Sequence, residues 1–233
     1  MKFFLLFGIQ STIMANDSII KQIMDLPEAV LLVQQVQDRL ADEQRKRHEF
    51  YEMIGEDDKA EFINGEVEFH SPVVKWHTDA TKRILKLLDD FVDLHDLGYV
   101  GVEKTMITLT RNDYEPDVCY FGPAKAATFK PDQMLYPAPD LVVEVLSKSN
   151  QRNIDRDRVV KYADYEAHGI PEYWMVDPEL KTVEQYLLRN GKYELQLKAT
   201  QGDIASETLP NFVIPIAAIF DKKLNLKVRR GWQ

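Results

Sequence analysis

The alternation of apolar and polar positions divides the chain into a helical arm and a mixed body. From Pro27 to about Ile54 there is no internal Gly or Pro, and Leu, Val, Gln, Glu, Arg and Ala dominate, which predicts one long helix. Val33, Val36 and Leu40 give it a short apolar seam, implying an arm that packs on the body or on a second copy of the chain. The run Arg45-Lys46-Arg47 is interleaved with acids and reads as a solvated face. Strand-like alternation follows: Glu61 to Phe69 sets Asn64-Gly65 between two short segments, the signal for a tight hairpin. From Trp76 to Leu97, Ala80, Ile84, Leu87, Leu88, Phe91 and Leu94 recur at helical spacing, with Gly98 as the stop, so this helix covers one face of a sheet.

Tyr99 to Lys104, Thr105 to Thr110 and Pro116 to Phe121 read as strands, broken by the turn residues Asn112 and Asp113. The Pro-, Lys- and Ala-rich stretch from Gly122 to Pro137 reads as a surface excursion. It leads into Pro139-Asp140-Leu141-Val142-Val143-Glu144-Val145-Leu146-Ser147, an apolar run of strand length that predicts a buried central strand. Ile154 to His168 is expected to be helical, closed by Gly169 and Pro171, and Glu172 to Asp177 returns as a strand. This strand-helix-strand unit predicts a crossover with at least one parallel pair. Thr182 to Leu188 and Lys192 to Lys198 form a hairpin about Asn190-Gly191. The fold class is therefore α/β (α+β), a mixed sheet flanked by helices.

Composition narrows the classes. With 233 residues, 45% of them hydrophobic, the chain can bury one substantial core, so residues 1–54 are read as tail and arm and 55–233 as the body. A single cysteine, Cys119, excludes an intrachain disulfide and a thiolate zinc cage, which suits a reducing cytoplasm; any metal must use oxygen or histidine ligands. Cys119 itself is expected to be an inert strand residue. A formal charge of -9 argues against a broadly basic nucleic-acid coat but leaves room for a local patch. Met1 to Ile9 is apolar, yet has one basic residue, no small-residue cleavage pattern and too little length to span a bilayer. It is read as a loose tail, or as lying upstream of a start near Met14, and a cytoplasmic protein without a membrane partner is expected.

The candidate chemistry centres on Glu144. A lone carboxylate in a buried strand costs several kcal/mol, roughly, unless it meets a cation, a hydrogen-bond network or the open edge of the sheet. Strand alternation puts Asp140, Val142, Glu144 and Leu146 on one face, but Asp140 and Glu144 are roughly 13 Å apart, too far to chelate one ion unaided. Asp117, at the head of the strand Asp117-Val118-Cys119-Tyr120-Phe121, is the candidate second ligand. If the two strands are neighbours, Asp117 and Glu144 converge on a divalent cation with hard oxygen ligands, magnesium or manganese, with the Val145 carbonyl and waters completing the shell. Five Lys or Arg stand between Lys148 and Lys161 against two Asp. Lys161 suits two roles: an ammonium that offsets charge developing on a phosphate, or an ordinary ion pair to Asp157, Asp164 or Glu144. Glu61 and Glu66 flank the Asn64-Gly65 turn, and either can be a further ligand or a solvated hairpin charge. His77, near a helix start, suits a phosphate contact or a cap. Tyr173 and Trp174 read as core. Neither a Walker-type glycine loop nor a nucleophile elbow appears.

Taken together, Ala60 to Glu66, His77, Tyr114 to Val118, Pro139 to Ser147, Lys161 with Tyr162, and Gly169 to Pro178 resemble the Uma-two family of the restriction-endonuclease-like, PD-(D/E)XK superfamily, over about Phe50 to Phe220. The resemblance implies a metal-dependent endonuclease acting on nucleic acid, DNA by analogy, with Asp117 and Glu144 as Mg²⁺ or Mn²⁺ ligands and Glu61 as an accessory acid. Two residues beyond Glu144 stands Leu146, where the superfamily's short motif has lysine. The family's usual replacement is a lysine on the following helix, which is Lys161 here. A homodimer is a further expectation. The competing reading is a catalytically silent, oligomeric interaction module that keeps the fold and uses the same acids and lysine as structural ion pairs.

Overall fold

A computed structural model describes residues 17–55, 58–147 and 156–232. The apolar start Met1 to Ile9 and most of the basic stretch, Lys148 to Asp155, lie outside the described residues, as does the Asp157 side chain.

The arm helix α1 (Ala29–Met53) is followed by the hairpin β1 (Ala60–Ile63) and β2 (Glu66–Phe69), then helix α2 (Lys75–His95). Asn64 and Gly65 both take positive φ, 52° and 83°, the backbone that a tight Asn-Gly hairpin turn requires. Next come β3 (Tyr99–Val102), β4 (Met106–Thr108), β5 (Asp113–Tyr114), β6 (Val118–Phe121), the short helix α3 (Pro123–Ala126), β7 (Leu135–Tyr136) and β8 (Leu141–Val145). A π-helical turn (Arg156–Lys161) runs into α4 (Tyr162–Ala167), and β9 (Glu172–Asp177), β10 (Thr182–Arg189) and β11 (Lys192–Ala199) complete the main sheet. A small ladder of β12 (Asp203–Ala205) and β13 (Val213–Pro215) precedes α5 (Ala217–Phe220) and α6 (Lys222–Arg230).

The strands form a six-stranded sheet in the order β11-β10-β9-β8-β6-β3 and a five-stranded sheet in the order β2-β1-β5-β4-β7. As the crossover predicts, β8 and β9 are parallel, whereas β6 and β8 are antiparallel. β8 is central, and its side chains alternate between two cores. Leu141, Val143 and Val145 pack with α2 residues Ile84, Leu88 and Phe91 on one side. Val142 packs with Cys119, Tyr165 and Tyr173 on the other, together with Ile107 and Tyr114 from the smaller sheet. Tyr173, Trp174 and Cys119 are core residues, as expected, and burial drives the Cys119 thiol pKa upward, which makes it a poor nucleophile.

Three readings are corrected by side-chain placement. Arg47 does not face solvent: its guanidinium pairs with Asp113 through Nε–Oδ2 and Nη2–Oδ1 contacts of 2.6 Å each, and also donates to the Leu109 carbonyl at 2.9 Å. With Phe50 buried against Phe62, this fixes the second half of α1 to the smaller sheet. The helix α2 ends at His95, ahead of Gly98, because Asp96 takes the left-handed conformation (φ 53°) and Leu97 N–H closes on the Val92 carbonyl. Leu94 is half exposed; Val92 takes the inward position that the period assigns after Leu88. Among the described residues, no helix is long and apolar enough to cross a membrane.

Candidate active site

The antiparallel β6–β8 ladder ends at the Val118–Val143 pair, and Asp117 and Glu144 are the next residues beyond it on the two chains, both in the wall of one cleft. Asp117 precedes Val118 and so points with Cys119, and Glu144 points with Val142, both toward the second core. The core ends there, and a cleft of about 510 Å³ opens with Asp117, Glu144, Val145, Lys161 and His77 in its walls.

Each acid is held from behind. Asp117 Oδ2 accepts the Val145 backbone N–H at 2.8 Å and lies 3.3 Å from His77 Nε2 at the start of α2. Burial raises the Asp117 carboxyl, but the hydrogen bond and charge of His77 outweigh it and hold the group below the usual carboxylate range. The pairing raises His77 above the usual imidazole range against the opposing effect of its own burial. Glu144 Oε1 receives two donors, Lys161 Nζ and the Tyr165 hydroxyl, each at 2.9 Å. Burial nonetheless pushes Glu144 upward, and the neighbouring Asp117 and Glu61 charges add to the shift against Lys161.

Lys161 is buried at 1% exposure, with Nζ 2.8 Å from Glu61 Oε1 and 2.9 Å from Glu144 Oε1, and 5.7 Å from the centre of the Tyr114 ring. Of the partners named for an ion pair, Lys161 meets Glu144, and Glu61 is a second partner outside that set. Lys161 closes the π-helical turn, a backbone form that often marks functional positions because its extra residue re-aims one side chain. Glu61 comes from the first strand of the smaller sheet and is fully buried. Its Oε1 also accepts the Glu115 N–H at 3.0 Å, and Oε2 lies 3.3 Å from His70 Nε2 and 3.8 Å from Arg156 Nε. Burial works against ionisation of Glu61, but Lys161, His70 and Arg156 together hold its carboxyl well below the usual range.

The candidate residues therefore divide cleanly. Asp117, Glu144, Val145, Lys161 and Glu61 meet in one place, and His77 meets them as a partner of Asp117. Glu66 does not: it is exposed on the hairpin, 3.9 Å from Lys46. Asp140 is spent elsewhere, on Lys125 Nζ and the Gly122 N–H. Tyr165, His70, Arg156 and Glu115 are additions to the set. Tyr165 sits one helical turn after Lys161, so the i, i+4 rule points to it. Glu115 sits two residues before Asp117, with its carboxyl pushed up to about 7, chiefly by burial. Nothing in the sequence marks His70.

The donor set suits a hard divalent cation. The cleft is lined by five carboxyl groups, Glu68, Glu103, Glu115, Asp117 and Glu144, against three Lys or Arg and two His, so hard oxygen donors dominate its polar lining. Among the described residues, no three His, Cys, Asp or Glu side chains cluster as a ready-made metal cage. Such a cage is not required by magnesium, which is commonly bound by one or two carboxylates and keeps several waters. Asp117 and Glu144 would hold the ion, and Val145 lies in the same cleft wall.

Comparison with known proteins agrees with this architecture. Residues 47–217 match the model of the Uma2 family, described as "Putative restriction endonuclease". A solved structure titled as a putative nuclease belonging to DUF820 from Anabaena variabilis is similar in fold, with a TM-score of 0.62, 16% identity, and coverage of 74% of this chain and 96% of that one. No curated protein matches the sequence. The family match over most of the chain's length places it in the Uma2 family, whose model carries the description "Putative restriction endonuclease".

Proposed function

We propose that the protein is a metal-dependent endonuclease that hydrolyses phosphodiester bonds of nucleic acid, with DNA the substrate favoured by the family. The observation that carries the proposal is the meeting of Asp117 and Glu144 across adjacent strands, with the Lys161 ammonium 2.9 Å from Glu144. Asp117, Glu144 and the Val145 carbonyl would hold Mg²⁺ or Mn²⁺, which would supply Lewis-acid charge for phosphodiester hydrolysis. The chain's own residues do the rest. His77 and the Val145 N–H fix Asp117 in its ionised form and in one orientation. Lys161 brings a positive charge to the place where the displacement accumulates negative charge on the phosphate oxygens. Glu61 and Tyr165 position it: Glu61 holds the ammonium from the far side, and Tyr165 shares its acceptor on Glu144. Lysine two residues after Glu144 would be redundant here, because Lys161 reaches the same carboxylate from the helix.

The test is cleavage of supercoiled plasmid, single-stranded DNA and RNA by the full chain in EDTA, Mg²⁺ and Mn²⁺. Cleavage that needs the metal and disappears in Asp117→Asn and Glu144→Gln supports the proposal; a metal-loaded protein that cuts none of these refutes it.

The alternative reading, a silent oligomeric module, has one observation in its favour. The apolar seam in the first half of α1, Val33, Val36 and Leu40, is exposed at 43%, 54% and 42%. A second copy of the chain covering that seam accounts for it, and sedimentation of the wild type against Val33→Glu/Val36→Glu measures it. Dimerisation is compatible with either reading; dimerisation without metal binding or cleavage selects the module.

A further inference from the structure

A second cavity, of about 540 Å³, lies beside the acidic cleft, and Glu115 stands in the wall of both. Its size falls in the range of small-ligand sites. The other walls include the apolar surfaces of Tyr51, Met106, Leu135 and Tyr136. The polar groups around it are largely committed to local bonds. The Tyr51 hydroxyl donates to Asp113 Oδ1, Thr105 Oγ1 accepts the Val102 N–H, Gln133 bonds Lys130 N–H and the Leu135 carbonyl, and Asp58 accepts the Gly55 N–H. Glu115 differs from them. The residue is 5% exposed, and its Oε2 is buried without a hydrogen-bond partner. A buried acceptor left unmade costs about 1–3 kcal/mol, which a ligand with an N–H donor recovers.

We propose that this cavity takes up one unstacked nucleobase of the bound strand, with Glu115 Oε2 accepting a hydrogen bond from the base's N–H edge; the proposal rests on the nuclease reading of the neighbouring cleft. The chemistry of the walls selects this ligand. A base has two flat apolar faces that fit between aromatic and thioether side chains, and an edge with N–H donors that a carboxyl oxygen accepts. The placement agrees as well. Glu115 precedes Asp117 by two residues, which span at most about 7 Å of chain, the scale of one sugar-phosphate unit. A strand whose phosphate lies at Asp117 and Glu144 therefore carries its neighbouring base to the mouth of the second cavity.

The experiment uses the full chain with ¹³C-methyl methionine in EDTA, titrated in turn with deoxyadenosine, deoxycytidine, deoxyguanosine and thymidine. Met106 and Met134, both in the cavity wall, are the reporters. The expected result is a saturable shift of these two methyls with at least one nucleoside, a dissociation constant raised about tenfold in Glu115→Met, which removes the acceptor, and loss of the shift in Leu135→Trp. Leu135 lies at the rim, 38% exposed, so the larger side chain fills the cavity without entering the core. The proposal is overturned if no nucleoside moves these methyls at millimolar concentration, or if both variants bind as the wild type does. Because the titration contains no metal and no phosphodiester, its failure leaves the plasmid-cleavage test standing, and failure of cleavage leaves the titration readable.

Discussion

Replacing Lys161 with Met probes the frame of the site without any assumption about substrate. The ammonium lies 2.8 Å from Glu61 Oε1 and 2.9 Å from Glu144 Oε1, all three groups being buried. At an effective dielectric of about 20, each contact is worth about 6 kcal/mol of Coulomb attraction, most of which offsets the desolvation of the charges. Methionine keeps the length of the side chain and removes the charge, which leaves two buried carboxylates facing each other. Losing one partner of a buried pair costs about 3–5 kcal/mol, so that drop in unfolding free energy is expected at pH 8 in EDTA. The sign of the pH dependence follows from the shifts. Glu144 is already raised by burial and by Asp117, and without Lys161 it rises further, so the variant regains stability as pH falls and Glu144 takes up a proton. Urea unfolding of wild type and variant at pH 5 and pH 8 measures both quantities. A double-mutant cycle with Glu61→Gln should return a coupling of about 1–3 kcal/mol. A loss under about 1 kcal/mol at pH 8 refutes the reasoning, as does a loss equal at the two pH values, since either means that the three charges are not mutually dependent.

Three further outcomes are expected. Mg²⁺ at a hundredfold excess over its dissociation constant should stabilise the wild type by about 2.7 kcal/mol, several degrees in thermal unfolding, and Asp117→Asn should abolish the shift. Glu115, raised to about 7, contributes stability that is complete below the ordinary carboxylate pKa and is lost as pH rises through 7. Wild type should therefore lose about 2 kcal/mol relative to Glu115→Gln between pH 4 and pH 8, measured by denaturant titration. Asp113→Ala removes the carboxylate that receives Arg47 and Tyr51, and should cost about 2–4 kcal/mol while exposing the second half of α1 to hydrogen exchange.

The sequence made the ends of the site legible and left its middle open. Strand alternation assigns Glu144 its face because a period of two fixes the direction of every side chain once the strand is recognised, and Asp117 is marked only by its place at the head of an apolar strand. The partnership of the two strands is a condition of the metal-ligand reading and not its consequence, since an antiparallel neighbour separated by an excursion of this length leaves no local trace. Lys161 was visible as a lysine among apolar neighbours, but its partners depended on the π-helical turn, which no period predicts. The hairpin pattern alone leaves Glu61 and Glu66 equivalent, and only the resemblance singles out Glu61 as an accessory acid. Glu61 is inside because β1 pairs with both β2 and β5, whereas Glu66 opposes Ile63 at the exposed end of the ladder. Arg47 was misplaced for a similar reason: its partner Asp113 is 66 residues away, beyond any pattern on its own helix.

The most direct measurement of the central claim is anomalous scattering from a crystal of the protein soaked in Mn²⁺. The account predicts one strong peak within coordination distance of both Asp117 and Glu144, with Lys161 still on Glu144 and the peak absent in Asp117→Asn. A peak confined to other acids of the cleft, or an ion touching one of the two carboxylates alone, would contradict it.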